Sequence, residues 1–140
     1  MGNPFALGDI QPGYNVLDIG SGAGFDLYIA KRLTGESGKV CGIDLIREMI
    51  DRARKSLADS GMNSIDVTHV SSEEIPYKDR TFGTVISNGV INLSPCKQEI
   101  FRVLKNGGKL QFIGCPKKIK LNMMPGKLQS QKNISEKDSL

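Results

Sequence analysis

The short run Asn15-Val16-Leu17-Asp18-Ile19 leads without a break into Gly20-Ser21-Gly22-Ala23-Gly24 and then into a helical pattern from Phe25 to Leu33. A buried strand, a loop of alternating glycines and a helix form the opening of a βαβ unit. Glycine lets the backbone turn sharply and lets a ligand approach with no Cβ in the way. The spacing is G-x-G-x-G, one residue shorter than the G-x-G-x-x-G of dinucleotide-binding loops. Asp18 stands two residues ahead of the first glycine. A carboxylate there is a poor neighbour for a pyrophosphate and suits a ligand carrying an ammonium or another positive charge.

The pattern then repeats in kind. Lys39 to Asp44 reads as a second strand. A helix follows with Ile46, Met49, Ile50, Ala53 and Leu57 on one face, stopped by Gly61. Ile65 to Val70 and Thr84 to Ser87 read as strands three and four. Ser94-Pro95 starts a helix burying Ile100, Phe101 and Leu104, and Asn106-Gly107-Gly108 turns into a fifth strand, Lys109 to Ile113. In the first helix the apolar spacing runs through Phe25, Tyr28, Ile29 and Leu33. Strands alternating with helices predict a doubly wound, Rossmann-like α/β domain of five parallel strands. Its ligand site is expected beyond the carboxyl ends of the strands, where the strand order reverses.

Asp44 ends the second strand, 24 residues after Gly20. That is near the offset at which an acid meets the ribose hydroxyls of a bound adenosine. Leu45 and Ile46 follow and suit an adenine face, with a core role an equal alternative for Ile46. An adenosine-bearing ligand with positive charge and no phosphate is S-adenosylmethionine, which carries a sulfonium and an α-amino group. A nicotinamide cofactor is disfavoured by the glycine spacing and by Asp18.

Charge sharpens the picture. The chain has 140 residues and a net charge of +4, but the first 115 hold 13 Lys+Arg against 13 Asp+Glu. The excess belongs to residues 116–140, where Lys, Ser, Asn and Gln dominate and periodicity fails. These features predict a domain over 1–115 and a basic, disordered tail over 116–140, with no nucleic-acid role for the charge. No apolar run approaches the roughly 20 residues of a membrane span. Cys41, Cys96 and Cys115 match neither a disulfide framework nor a metal-binding spacing, so no metal is expected and a reducing, cytoplasmic setting is.

The sequence resembles the class I S-adenosylmethionine-dependent methyltransferases, and within them the arsenite methyltransferases. The resemblance covers residues 2–115. It rests on Gly2-Asn3-Pro4, on Leu17 to Asp26, and on Gly42-Ile43-Asp44 with Glu48-Met49. Ser87-Asn88-Gly89-Val90-Ile91-Asn92-Leu93-Ser94-Pro95 and Phe101 to Gly108 complete it. It implies a cofactor site made of Asp18, Gly20, Ser21, Gly22, Gly24, Asp44, Leu45, Ser71, Ser72 and Asn88. Asp18 would support the amino group, Asp44 the ribose, Ser71 and Ser72 the adenine end, and Asn88 would lie beside the transferable methyl. No catalytic residue is assigned, because a sulfonium is already an activated leaving group and a soft nucleophile needs no general base.

Departures from the family pattern point elsewhere. Met1 and Gly89 stand where the family has cysteines, and thiolates are the ligands of a soft arsenic(III) centre. Ser71 replaces an acid in the adenine segment and Gly83 an acid before strand four, and both substitutions are expected to touch the cofactor site. The last two strands of the full fold have no counterpart in the tail, leaving a sheet edge open to self-association. The expectation is therefore a methyltransferase acting on a small soft acceptor such as arsenite. The alternative is a truncated, inactive cofactor-binding or interaction module.

Overall fold

A computed structural model of the chain describes residues 10–71, 74–88 and 96–113. Its elements are β1 (Val16–Ile19), α1 (Phe25–Thr34), β2 (Val40–Asp44), α2 (Arg47–Asp59), β3 (Asp66–His69), β4 (Phe82–Asn88), α3 (Cys96–Val103) and β5 (Leu104–Ile113). The strands lie in the order β3-β2-β1-β4-β5, every neighbouring pair parallel. The chain runs outward through β2 and β3, then returns to the other side of β1 with β4. That reversal is the doubly wound topology, and it puts a crevice at the carboxyl ends of β1 and β4.

Side-chain alternation divides the core between two faces. Val16, Val40, Val67 and Ile86 meet Leu27 and Ala30 of α1 and Ile50, Ala53 and Leu57 of α2. On the other face Leu17, Ile19, Cys41, Ile43 and Val85 meet Ile100, Phe101 and Val103 of α3. Burial on both faces is what a parallel sheet requires, and it explains the near-continuous apolar strands.

The structure corrects three readings. Helix α1 turns Leu27, Ala30 and Thr34 inward, while Phe25 is 73% exposed and Leu33 40%. The cause lies across the interface, at Gly42 of β2. A Cβ there would sit 2.6 Å from Leu27 Cδ1 and 3.0 Å from Ser21 Cβ, so the bare backbone is the hole that Leu27 fills. The variant Gly42→Ala should therefore lose about 1–3 kcal/mol by overpacking. An unchanged urea midpoint would show that Leu27 has room to move.

The second correction concerns β5, which pairs with β4 from Leu104 rather than from Lys109. The ladder runs from Phe82↔Leu104 to Thr84↔Lys109, so the expected Asn106-Gly107-Gly108 turn is an irregularity inside the strand. The third concerns Gly83. Its N–H donates to Asn15 at 3.0 Å, at the amino end of the sheet. The site lies at the other end, so this substitution does not touch it.

Among its described residues the segment after β3 has no helix, and it is fastened by side chains, chiefly from α3: Glu99 accepts the Ile75 N–H at 2.9 Å and the Tyr77 hydroxyl donates to Asp66 at 2.7 Å. Arg102 of α3 donates to the carbonyls of Ile75 and Tyr77 and to the carboxylates of Glu99 and Asp79, all at 2.7–2.9 Å. Residues 1–9 and 114–140, with the tail expectation that falls on them, lie outside the described residues.

Candidate functional site

The glycine loop takes the shape its sequence requires. Gly20, Gly22 and Gly24 have φ of +72°, +55° and +94°, the left-handed region where a side chain is strained. Gly22 has nothing within 4 Å of where a Cβ would stand, so its φ and the open approach above it are the reasons for glycine. At Gly24 a Cβ would lie 3.3 Å from that of Ala53, so this glycine also lets α1 close on α2. The amides of Gly20 and Ser21 share the Ile43 carbonyl at 2.8 and 3.1 Å, which ties the loop to the end of β2.

Asp44 is the hub. Its Oδ2 accepts the Gly22 amide at 2.9 Å, its Oδ1 accepts the Ile46 amide at 2.9 Å, and its carbonyl accepts Val70 N–H at 3.0 Å. Each carboxylate oxygen has one donor and keeps further lone-pair capacity, which is what two vicinal hydroxyls would need. Leu45 and Ile46 beside it are 49% and 54% exposed. Ile46 is thus outside the core, which removes the core alternative.

Asp18 is 1% exposed, and neither carboxylate oxygen has a hydrogen-bond partner among the described residues. Burial pushes its carboxyl well above the usual range, and the charges of Asp26 and Asp44 push it further the same way. Ser21 is buried with its hydroxyl likewise unpartnered. The loop therefore gathers acidic groups and spare acceptors, an environment for a cation.

Ser71 follows β3 and is exposed. Asn88 ends β4 in register with Ile113; its side chain, and all of Ser72, lie outside what is described. Gly89, Ser94 and Pro95 also fall there, as does the Cys96 side chain. Cys41 is fully buried, and burial raises its thiol, so it is a core residue and no thiolate. Among the described residues no three His, Cys, Asp or Glu side chains converge on a metal-sized site.

Two residues at the site have no ligand role in the sequence reading: Asp26, and the single histidine His69, for which a structural or surface role is expected. Asp26, in the first turn of α1, adds its charge to the Asp18 environment. His69, in register with Asp44 on β3, sets Nε2 3.0 Å from the Leu45 carbonyl and Nδ1 3.3 Å from the Arg47 guanidinium. A carbonyl accepts and a guanidinium donates, so the neutral ring carries its proton on Nε2. The first could have been seen from helical spacing after the loop. The second depends on strand register, which spacing does not reveal.

Comparison with known proteins agrees with this geometry. Residues 10–138 match the family described as a methyltransferase domain. The chain is 41% identical over 113 residues to an arsenite methyltransferase of Halobacterium salinarum, covering 78% of this chain and 29% of that protein. The chain thus spans less than a third of that relative's length. The crystal structure of a SAM-dependent methyltransferase from Aquifex aeolicus superposes with a TM-score of 0.71 at 29% identity, covering 77% of this chain and 59% of that one. An arsenic(III) S-adenosylmethionine methyltransferase from Chlamydomonas reinhardtii gives 0.69 at 33% identity, covering 80% and 41%.

The donor set fits the cofactor named for both solved relatives. S-adenosylmethionine carries an ammonium, a ribose and no phosphate, which suits a loop with a buried carboxylate unpartnered among the described residues and a strand-end carboxylate with spare lone pairs. The strand order, the loop and this match over nearly the whole chain together place the protein in the methyltransferase domain family.

Proposed function

We propose that the chain is the cofactor-binding unit of an S-adenosylmethionine-dependent methyltransferase that acts on a small, soft acceptor such as arsenite. The observation that carries the reading is the hydrogen bond from Gly22 to Asp44, which joins the glycine loop to the strand-end acid beside the buried carboxylate of Asp18. The bound group supplies an electrophilic methyl on a positively charged sulfur.

The protein's own part is positional. The bare backbone at Gly22 lets a ligand lie close on the loop. Asp44, held by two amides, turns its remaining lone pairs outward to accept both ribose hydroxyls. Leu45 and Ile46 offer exposed apolar surface for one face of the adenine, and Ser71 accepts from its amine. Asp18 balances the ammonium. Asn88, which ends β4 at the topological reversal, is assigned beside the transferable methyl, as the resemblance to the family implies. A soft acceptor needs no proton removed, so alignment and exclusion of water supply the rate. The unit corresponds to residues 1–115, with 116–140 a separate basic segment, working in the cytoplasm. The arsenite acceptor is supported by the run Ser87 to Pro95 and by the identity to the Halobacterium enzyme.

Calorimetric titration of the chain with S-adenosylmethionine and with S-adenosylhomocysteine tests the reading. Saturable one-to-one binding is expected, and no heat at millimolar ligand refutes it. Arsenite with a thiol reductant then tests the acceptor. A second reading, a non-catalytic module that pairs with another chain, is favoured by β5, which ends the described sheet with no neighbour beyond it. A concentration-dependent dimer without turnover would select it, and no described helix is long and apolar enough to cross a membrane and serve as an anchor instead.

A further inference from the structure

Among the described residues, nothing that ordinarily keeps a carboxylate ionised reaches Asp18. Its two oxygens are out of contact with water and meet no hydrogen-bond donor among the described residues. The elements around it supply charge of its own sign, Asp26 from α1 and Asp44 from the end of β2. Its partners in the sheet are Gly42 of β2 and Ile86 of β4, neither of which is charged. An isolated buried carboxylate costs several kcal/mol, and protonation is the ordinary escape. A cation seated beside the carboxylate reverses that preference.

We propose that Asp18 is neutral in the free protein and gives up its proton when a ligand ammonium is seated beside it, so that cofactor binding here releases a proton to solvent. The inference rests on the cofactor reading above. The step balances simply: the carboxyl O–H bond breaks, its electron pair stays on the carboxylate, and the proton passes to water. The ammonium keeps its protons, no bond forms to the ligand, and nothing is oxidised or reduced. The upward displacement of the Asp18 carboxyl agrees in direction. Below its midpoint, ligand affinity falls by up to about tenfold per pH unit, because the proton and the ligand ammonium compete for one charge state.

The test uses the whole 140-residue chain and S-adenosylhomocysteine, which keeps the ammonium and lacks the sulfonium. Titrations repeated at several pH values in two buffers of different ionisation enthalpy should give heats that differ between the buffers by the release of up to about one proton per site, most where free Asp18 is protonated. In Asp18→Asn the heats should agree between buffers. Equal heats in the natural chain overturn the coupling and leave the cofactor reading standing, whereas no binding in either buffer overturns both. A ligand-free arm needs no variant: carboxyl-carbon NMR should show Asp18 titrating well above the ordinary aspartate value of about 3.9. Titration at or below that value overturns the proposal whatever the calorimetry shows.

Discussion

Asp44→Ala should weaken S-adenosylhomocysteine binding by roughly 3–4 kcal/mol, on the order of a few hundred-fold, since two hydrogen bonds to a charged acceptor are lost together. The same change strips the acceptor from the amides of Gly22 and Ile46, each at 2.9 Å, so the loop loses its tie to β2 as well. Asp44→Asn keeps one acceptor oxygen and should fall between the two. The measurement is a calorimetric Kd alongside a thermal melt. Because both amides lie at a partly open rim where water can replace the carboxylate, stability should change far less than affinity. An affinity within threefold of the natural chain removes Asp44 from the site.

The largest stability effect is expected at Phe82. It is fully buried at the start of β4 and meets Tyr77 edge to face with ring centroids 5.2 Å apart. Phe82→Ala should lose about 3–5 kcal/mol, the transfer cost of the ring plus the cavity left where packed strands cannot collapse. Out of a total of about 5–15 kcal/mol, that leaves a marginal domain. Phe82 lies at the amino end of the sheet and the glycine loop at the other, so ligand affinity should survive. Ligand at a hundred times its Kd should then return about 2.7 kcal/mol through linkage. Urea midpoints with and without ligand measure both quantities. A loss below 1 kcal/mol would mean that the neighbouring segment, held by Arg102, closes over the gap.

The backbone plan of this protein was legible because each of its elements announces itself locally. Short apolar runs give strands where they are buried, and four of the five are legible to within two residues, while β5 starts at Leu104, five residues before the expected Lys109. The loop at Gly20–Gly24 was equally plain, since its residue type is demanded by φ at three positions. That Asp44 ends the second strand was legible as well.

What stayed hidden were properties of pairs. Nothing in Phe25–Thr34 says that Leu27 rather than Phe25 faces the sheet, because the deciding hole is at Gly42, fifteen residues further along the chain. His69 reads as an isolated histidine until strand register sets it beside Leu45 and Arg47. Gly83 looks like a site substitution until the strand's direction sends it to the far end.

By itself, then, the amino-acid sequence determined the alternation of strand and helix, the glycine loop and the acids that flank it, because backbone sterics and hydrophobic periodicity act within a few residues. Only the tertiary structure decided which face of α1 is buried, that Asp44 is clamped by the loop it supports, and that Asp18 is buried with no hydrogen-bond donor among the described residues. Those outcomes depend on burial and on contacts between distant segments, and it is burial that turns an ordinary aspartate into a group whose charge awaits a ligand.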